Sequence, residues 1–220
     1  MIRLLFAALS LTVLLAACGR DGKAVGDPAP PVRLYTGGLM PLGHWGVGPI
    51  RADTLFEQPV LQGLFPDAKV SDSLFPIDAD ETLLTITVVQ HGTTILEIDD
   101  SNAYAPNRDD PLVGKVRLLG GPVRGPRGER IGMGWREAGF DLSQCELGQG
   151  RGADTLDCAR RGEGAITYDF AIRNWGTHVD LPTPAELKAG AYLQEIVWTP
   201  PVNLRPKPPA AAPKPAGSKG

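Results

Sequence analysis

The sequence predicts an α+β fold, short helices packed on antiparallel sheet, arranged as two tandem helix-plus-meander units. Three observations carry this reading. Leu84, Ile86 and Val88 alternate with Thr85 and Thr87, and Ile166, Tyr168, Phe170 and Ile172 alternate with Thr167, Asp169 and Ala171. A period of two marks strands with one buried face. Apolar residues at helical spacing occur only in short stretches, around 60–65 and 135–142, and each is followed by strand-like sequence. Antiparallel sheet with helices gathered on one face satisfies a helix-then-strands order met twice.

Taken in order, Gly46-Val47-Gly48-Pro49-Ile50 reads as a short strand after a turn, which sets the start of the domain near Trp45. Thr54-Leu55-Phe56-Glu57 has capping-box spacing, and Pro59 fits only the first turn of a helix. A helix is therefore expected from about Gln58, with Val60, Leu61, Leu64 and Phe65 as its apolar face and Pro66 as its stop. Strands follow at 84–88 and 94–98, joined by a tight turn at His91-Gly92, where glycine supplies positive φ. A third strand is expected at 113–119. Residues 120–128 form a loop rich in Gly, Pro and Arg.

The second unit opens near Arg130, where Ile131-Gly132-Met133-Gly134 leads into a short helix carrying Trp135, Ala138, Phe140 and Leu142. Strands are expected near Cys145, at 155–159 and at 166–172, then a helical turn at 184–188 and a last strand at 192–198. The units span about 46–119 and 130–199 of one domain, 44–199. Residues 18–43, centred on Asp27-Pro28-Ala29-Pro30-Pro31, read as a flexible tether. The Pro/Ala/Lys tail, 200–220, reads as extended and solvated.

At the amino terminus Arg3 precedes an apolar run, 4–17, broken only by Ser10 and Thr12 and ending in Leu15-Ala16-Ala17-Cys18. This is the layout of a secretory signal, too short to span a bilayer comfortably. A Cys directly after Leu-Ala-Ala resembles the lipobox of bacterial lipoproteins. The resemblance implies a signal peptide of residues 1–17 and a Cys18 thiol that carries lipid, palmitate among the acyl chains. It implies anchoring at the outer membrane, facing the periplasm. Gly19 favours the outer membrane, because Asp in that position often retains a lipoprotein at the inner one. More than one acyl chain makes such an anchor firm, where a single chain binds only marginally.

Composition and charge narrow the partners. The 220-residue chain carries a formal charge of −3, which implies no basic face for nucleic acid. The basic residues Arg205, Lys207, Lys214 and Lys219 fall in the acid-free tail, so the body is more acidic than the whole. With Cys18 given to lipid, Cys145 and Cys158 remain, and in an oxidising compartment they read as one disulfide. A metal site using them with His178 fits zinc spacing poorly.

Several residues in order line up with a known family. Gly46-Val47-Gly48 followed by Thr54, Ile131-Gly132, the pair Cys145 and Cys158, Ile166-Thr167-Tyr168-Asp169-Phe170, Leu181-Pro182 and Glu195-Ile196-Val197-Trp198 resemble the RpoE-regulated (sigma-E-regulated) envelope lipoproteins. The resemblance covers roughly 45–198 together with the lipobox. It implies an envelope lipoprotein tied to envelope stress, with no established activity and no catalytic residues. The Pro/Lys tail and the Pro-rich lead depart from it. The helix-then-strands order also resembles the duplicated unit of small periplasmic inhibitors and outer-membrane assembly proteins, a likeness of topology only.

Catalysis needs a nucleophile, a base and an orienting group. Of His44, His91 and His178, only His178 has an acid close by, Asp180, and Ser143 or Ser73 would have to reach it. That pair defines the alternative of a small periplasmic hydrolase or ligand-binding protein. Asp99-Asp100-Ser101-Asn102 with Asp109-Asp110 reads as a solvated acidic loop, since the calcium-loop order and its Gly are absent. Arg124, Arg127 and Arg130 lie among glycines whose N–H groups could cradle an anion, or they line an inter-unit linker. Trp175, near His178, is the candidate exposed aromatic, against packing on the sheet edge. The expectation is a non-enzymatic lipoprotein with no cofactor and no metal. Its partner would be an unknown envelope protein or peptidoglycan, met through a surface drawn from Trp175, His178, Arg124, Arg127 and Arg130. A periplasmic enzyme inhibitor is a further alternative.

Overall fold

The computed structural model of the chain describes residues 29–76, 82–100, 111–149, 154–175 and 180–206. Cys18 and the signal segment, Asp109-Asp110, His178 and the tail from Lys207 onward lie outside the described residues. Three short strands come first, β1 (Met40–Gly43), β2 (Gly46–Val47) and β3 (Ile50–Arg51). Then follow helix α1 (Gln58–Leu64) and strands β4 (Lys69–Pro76), β5 (Thr82–Gln90), β6 (Thr93–Asp100) and β7 (Val113–Leu118). A two-residue strand, β8 (Val123–Arg124), lies in the linker. The second half comprises α2 (Trp135–Ala138), β9 (Cys145–Leu147), β10 (Thr155–Cys158), β11 (Ile166–Ile172), α3 (Pro184–Gly190) and β12 (Ala191–Trp198).

Among the described residues the main sheet has eight strands in the order β4-β5-β6-β7-β12-β11-β10-β9. Each half is a helix followed by four strands in meander order, with α3 inserted between β11 and β12 in the second, and the halves meet last strand to last strand. That junction is antiparallel, with Leu118 opposite Ile196 and Val116 opposite Trp198. A small sheet, β3-β2-β1-β8, adds β8 parallel to β1. In it Gly46 has φ 152°, and a Cβ there would sit 1.9 Å from the Ile50 carbonyl oxygen, so no other residue fits.

Alternation puts Ile86, Val88, Leu96, Ile98, Val116, Leu118, Ile196, Trp198, Tyr168 and Phe170 into one buried cluster with Leu61, Phe65 and Leu187 from the helices. Phe140 packs at 4.9 Å from Tyr168 and 5.4 Å from Phe170, ring centre to ring centre. The fold reaches ahead of Trp45, since Tyr35, Met40 and Leu42 are also buried. Leu204, in a 3-10 turn at Val202–Leu204, packs against the core.

Several local expectations change for identifiable reasons. Strand β4 has no counterpart among the strands expected from the sequence. It is an edge strand in which only Val70 is buried, so its apolar signal is weak. Thr54 does not cap α1; its hydroxyl accepts the Arg51 N–H at 2.9 Å, and Glu57 takes the N-cap position without a side-chain bond. The helix expected through Leu142 ends at Ala138, because Gly139 turns left-handed at φ 67° and Asp141 starts a separate 3-10 turn. The turn at 184–188 is a full helix, closed by a reciprocal cap in which Thr183 and Glu186 bond each other's backbone. His91 and Gly92 both have positive φ, the signature of a tight two-residue hairpin turn.

Candidate functional site

The helices contact the apolar face of the main sheet, and the opposite face is where the polar half of the alternation collects. Directly opposed residues share a face. One row therefore runs Ser71, Thr87, Glu97, Arg117, Val197, Thr167 from β4 to β11. Beside it, on one flank, lie Thr85, Asp99 and Lys115. On the other flank Glu195, Asp169, Asp157 and Glu146 oppose one another on the successive strands β12, β11, β10 and β9. Carboxylates outnumber cations on this face, and many are buried: Glu97, Asp99, Asp169 and Glu195 are each at most 8% exposed.

Arg117 is the hub. Its guanidinium donates to Glu195 at 2.5 Å and lies 3.5 Å from Asp99. Asp157 accepts a hydrogen bond from the Thr155 hydroxyl at 2.9 Å. Burial nonetheless pushes the Asp157 carboxyl up, and Glu146 adds to that, against the pull of Arg117 and Lys115. Asp169 is the outlier. Its Oδ1 is buried and accepts no hydrogen bond. Burial first, then the neighbouring Asp157 and Glu195, push its carboxyl up to about 8, with Arg117 and Lys115 opposing.

Next to this row an open cleft of about 1010 Å³ runs over Glu146, Asp157, Thr167, Asp141 and Gln144. The Cys145–Cys158 disulfide forms part of its wall, pinning edge strand β9 to β10. Asp141 at the rim is held below the usual carboxylate range by the Ser143 N–H and then the Ser143 side chain. Among the described residues no three His, Cys, Asp or Glu side chains gather as a metal ion would require. The face is a stripe of carboxyl groups aligned by strand register.

Asp169 carries a measurable stability consequence. Between about pH 4 and 8 the folded carboxyl keeps a proton that the unfolded chain has lost, so stability falls as pH rises through that window. Asp169→Asn is expected to raise stability by roughly 2 kcal/mol at pH 8 and to flatten this slope. Denaturation midpoints of both proteins from pH 4.5 to 8.5 check it; parallel curves would refute it.

The residues singled out from sequence are dispersed. Arg124 donates to the carbonyls of Gly121 and Val123, Arg127 pairs with Glu163 at 3.2 Å, and Arg130 pairs with Glu137 at 2.6 Å. The three cations thus have internal partners and do not converge. Trp175 is 6% exposed and belongs to the buried core cluster, not to an exposed contact. Asp180 is exposed, and His178 lies outside the described residues. Ser73 sits on β4 and Ser143 in the 3-10 turn at the cleft rim. The acidic row is not among the residues that sequence patterning singles out. Its signal lies in the polar half of the alternation, Asp157, Asp169 and Glu195, while the apolar half alone defines these strands.

No family model matches the chain, and no curated protein matches it. Among solved structures it is similar to the crystal structure of the uncharacterized protein yfeY from Escherichia coli. That likeness has a TM-score of 0.57 at 15% identity over 72% of this chain and 98% of the other. At this identity the likeness is one of fold.

Proposed function

We propose that this chain is an outer-membrane-anchored envelope lipoprotein with a non-enzymatic binding role, and that it presents the acidic sheet face to a partner in the envelope. The observation that carries the binding role is Asp169. A buried carboxyl without a hydrogen bond, set beside two other acids, lowers the stability of the fold that holds it. Positions where a sequence forgoes stability are where a bound group supplies the missing partner.

The envelope location is supported by the lipobox-like Leu15-Ala16-Ala17-Cys18 and by the Cys145–Cys158 disulfide, a bond that persists in oxidising compartments. The resemblance to the sigma-E-regulated envelope lipoproteins supports a part in envelope stress or maintenance, with lipid on Cys18 as the membrane contact. Palmitate labelling in the native host tests the anchor. Label is expected on the wild-type protein, in the outer-membrane fraction, and none on Cys18→Ser. A wild-type protein without label, or label that survives the substitution, would refute it.

A further inference from the structure

We propose that the row Glu146, Asp157, Asp169, Glu195 seats an extended basic peptide segment of a partner protein, with Arg or Lys at alternate positions. This rests on the binding role proposed above and names the chemistry of the partner.

The four carboxylates stand in register on four adjacent strands. Neighbouring strands are about 4.8 Å apart, so the row is about 14 Å long. In an extended peptide, side chains on one side recur about every 7 Å. Three alternate basic residues therefore match the row end to end when the peptide lies across the strands. The acids differ in depth in a way that suits long side chains. Glu146 is exposed at the sheet edge and Asp157 half-buried, whereas Asp169 and Glu195 are each 8% exposed. A guanidinium on its flexible stem reaches such a depth and presents several donors to carboxylates. Glu195 already has Arg117; Asp169 has no partner, so it is the vacancy an incoming cation fills. The open cleft over Glu146, Asp157 and Thr167 gives the peptide its path at the edge.

Proton linkage follows from the same geometry. The groups facing Asp169 are Asp157 on β10, Glu195 on β12, Arg117 and Lys115 on β7, with Glu146 beyond Asp157 on β9. A cation on the row favours the ionised carboxylate, so binding expels the proton that Asp169 holds below about pH 8.

The test uses the full-length oxidised protein in detergent and a labelled peptide, Arg-Thr-Arg-Thr-Arg. The controls are a block peptide of the same composition, Arg-Arg-Arg-Thr-Thr, and spermidine. The alternating peptide is expected to bind at least tenfold tighter than the block. Its affinity should rise close to tenfold per pH unit from 6.5 towards 8 and then level. Asp169→Asn, which should fold at least as well as the wild type, is expected to lower affinity at least tenfold at pH 8 and to abolish the pH slope. Asp72→Asn changes the net charge identically on the opposite face of β4 and should leave binding unchanged. Equal binding of the two peptides, equal losses in the two variants, or competition by spermidine as strong as by the alternating peptide would each overturn the proposal. Palmitate on Cys18 would be untouched by those results, so the lipoprotein reading and this inference fail separately.

Discussion

Arg160→Met is expected to cost the fold roughly 3–5 kcal/mol, the largest loss from any single substitution considered, because it strands a buried charge. Arg160 and Glu129 are 7% and 2% exposed and 3.2 Å apart. The guanidinium also donates to the Ala138 carbonyl at 2.5 Å and to the Gly139 carbonyl at 3.4 Å, and its centre lies 3.9 Å above the Phe140 ring. One side chain beyond the end of β10 thus holds the linker, the end of α2 and the aromatic cluster together. Glu129 has a second task, accepting the Arg127 N–H at 2.9 Å and shaping the Gly125–Gly128 turn.

Methionine keeps much of the stem packing but leaves Glu129 dry and unpaired. The double variant Arg160→Met, Glu129→Gln should therefore recover more than half of the loss. Urea denaturation of the four proteins of this cycle gives the coupling. Additive losses would show that Glu129 is not stranded. A loss of this size is a large share of the 5–15 kcal/mol that ordinary domains possess.

Opening the Cys145–Cys158 bond is expected to lower stability by roughly 3 kcal/mol, from the loop entropy restored to the unfolded chain over a separation of 13 residues. The effect should be uneven. Strand β9 has three residues, sits at the end of the sheet and, among the described residues, pairs only with β10. Without the bond it has little else to hold it. Hydrogen exchange at Glu146 and Gly148, whose N–H groups face β10, should speed up in the Cys145→Ser, Cys158→Ser variant far more than at Ile196 in the centre. Uniform acceleration would mean that β9 is held by its hydrogen bonds and the disulfide acts only globally.

How far the sequence could be read follows from where each signal arises. Ile166, Tyr168, Phe170 and Ile172 announce a strand because one face is wholly apolar. Val70 alone could not announce β4, whose other residues are half-buried or exposed. Thr183 and Glu186 form the cap their spacing allows, whereas Thr54 had a nearer backbone N–H from Arg51. Cys145 and Cys158 pair as expected once Cys18 is assigned to lipid. The linker arginines could not be placed from sequence, since Glu163 and Glu137, which bind Arg127 and Arg130, are distant or featureless as a pattern. The acidic row was legible only once register was known. Glu146, Asp157, Asp169 and Glu195 are scattered along the chain, and strand pairing alone aligns them.

The junction between β7 and β12 has a consequence for biogenesis. Arg117 and Glu195 lie 78 residues apart in sequence, so the first half of a growing chain finishes with β7 as a bare border. That border stays open until the closing strand arrives. An exported chain emerges into the envelope from its amino end, so β7 stays uncovered until β12 follows, and another emerging copy can dock there meanwhile. Chains truncated before Ala191 should accumulate as insoluble material, and this protein should depend on a holding chaperone more than its modest size would imply.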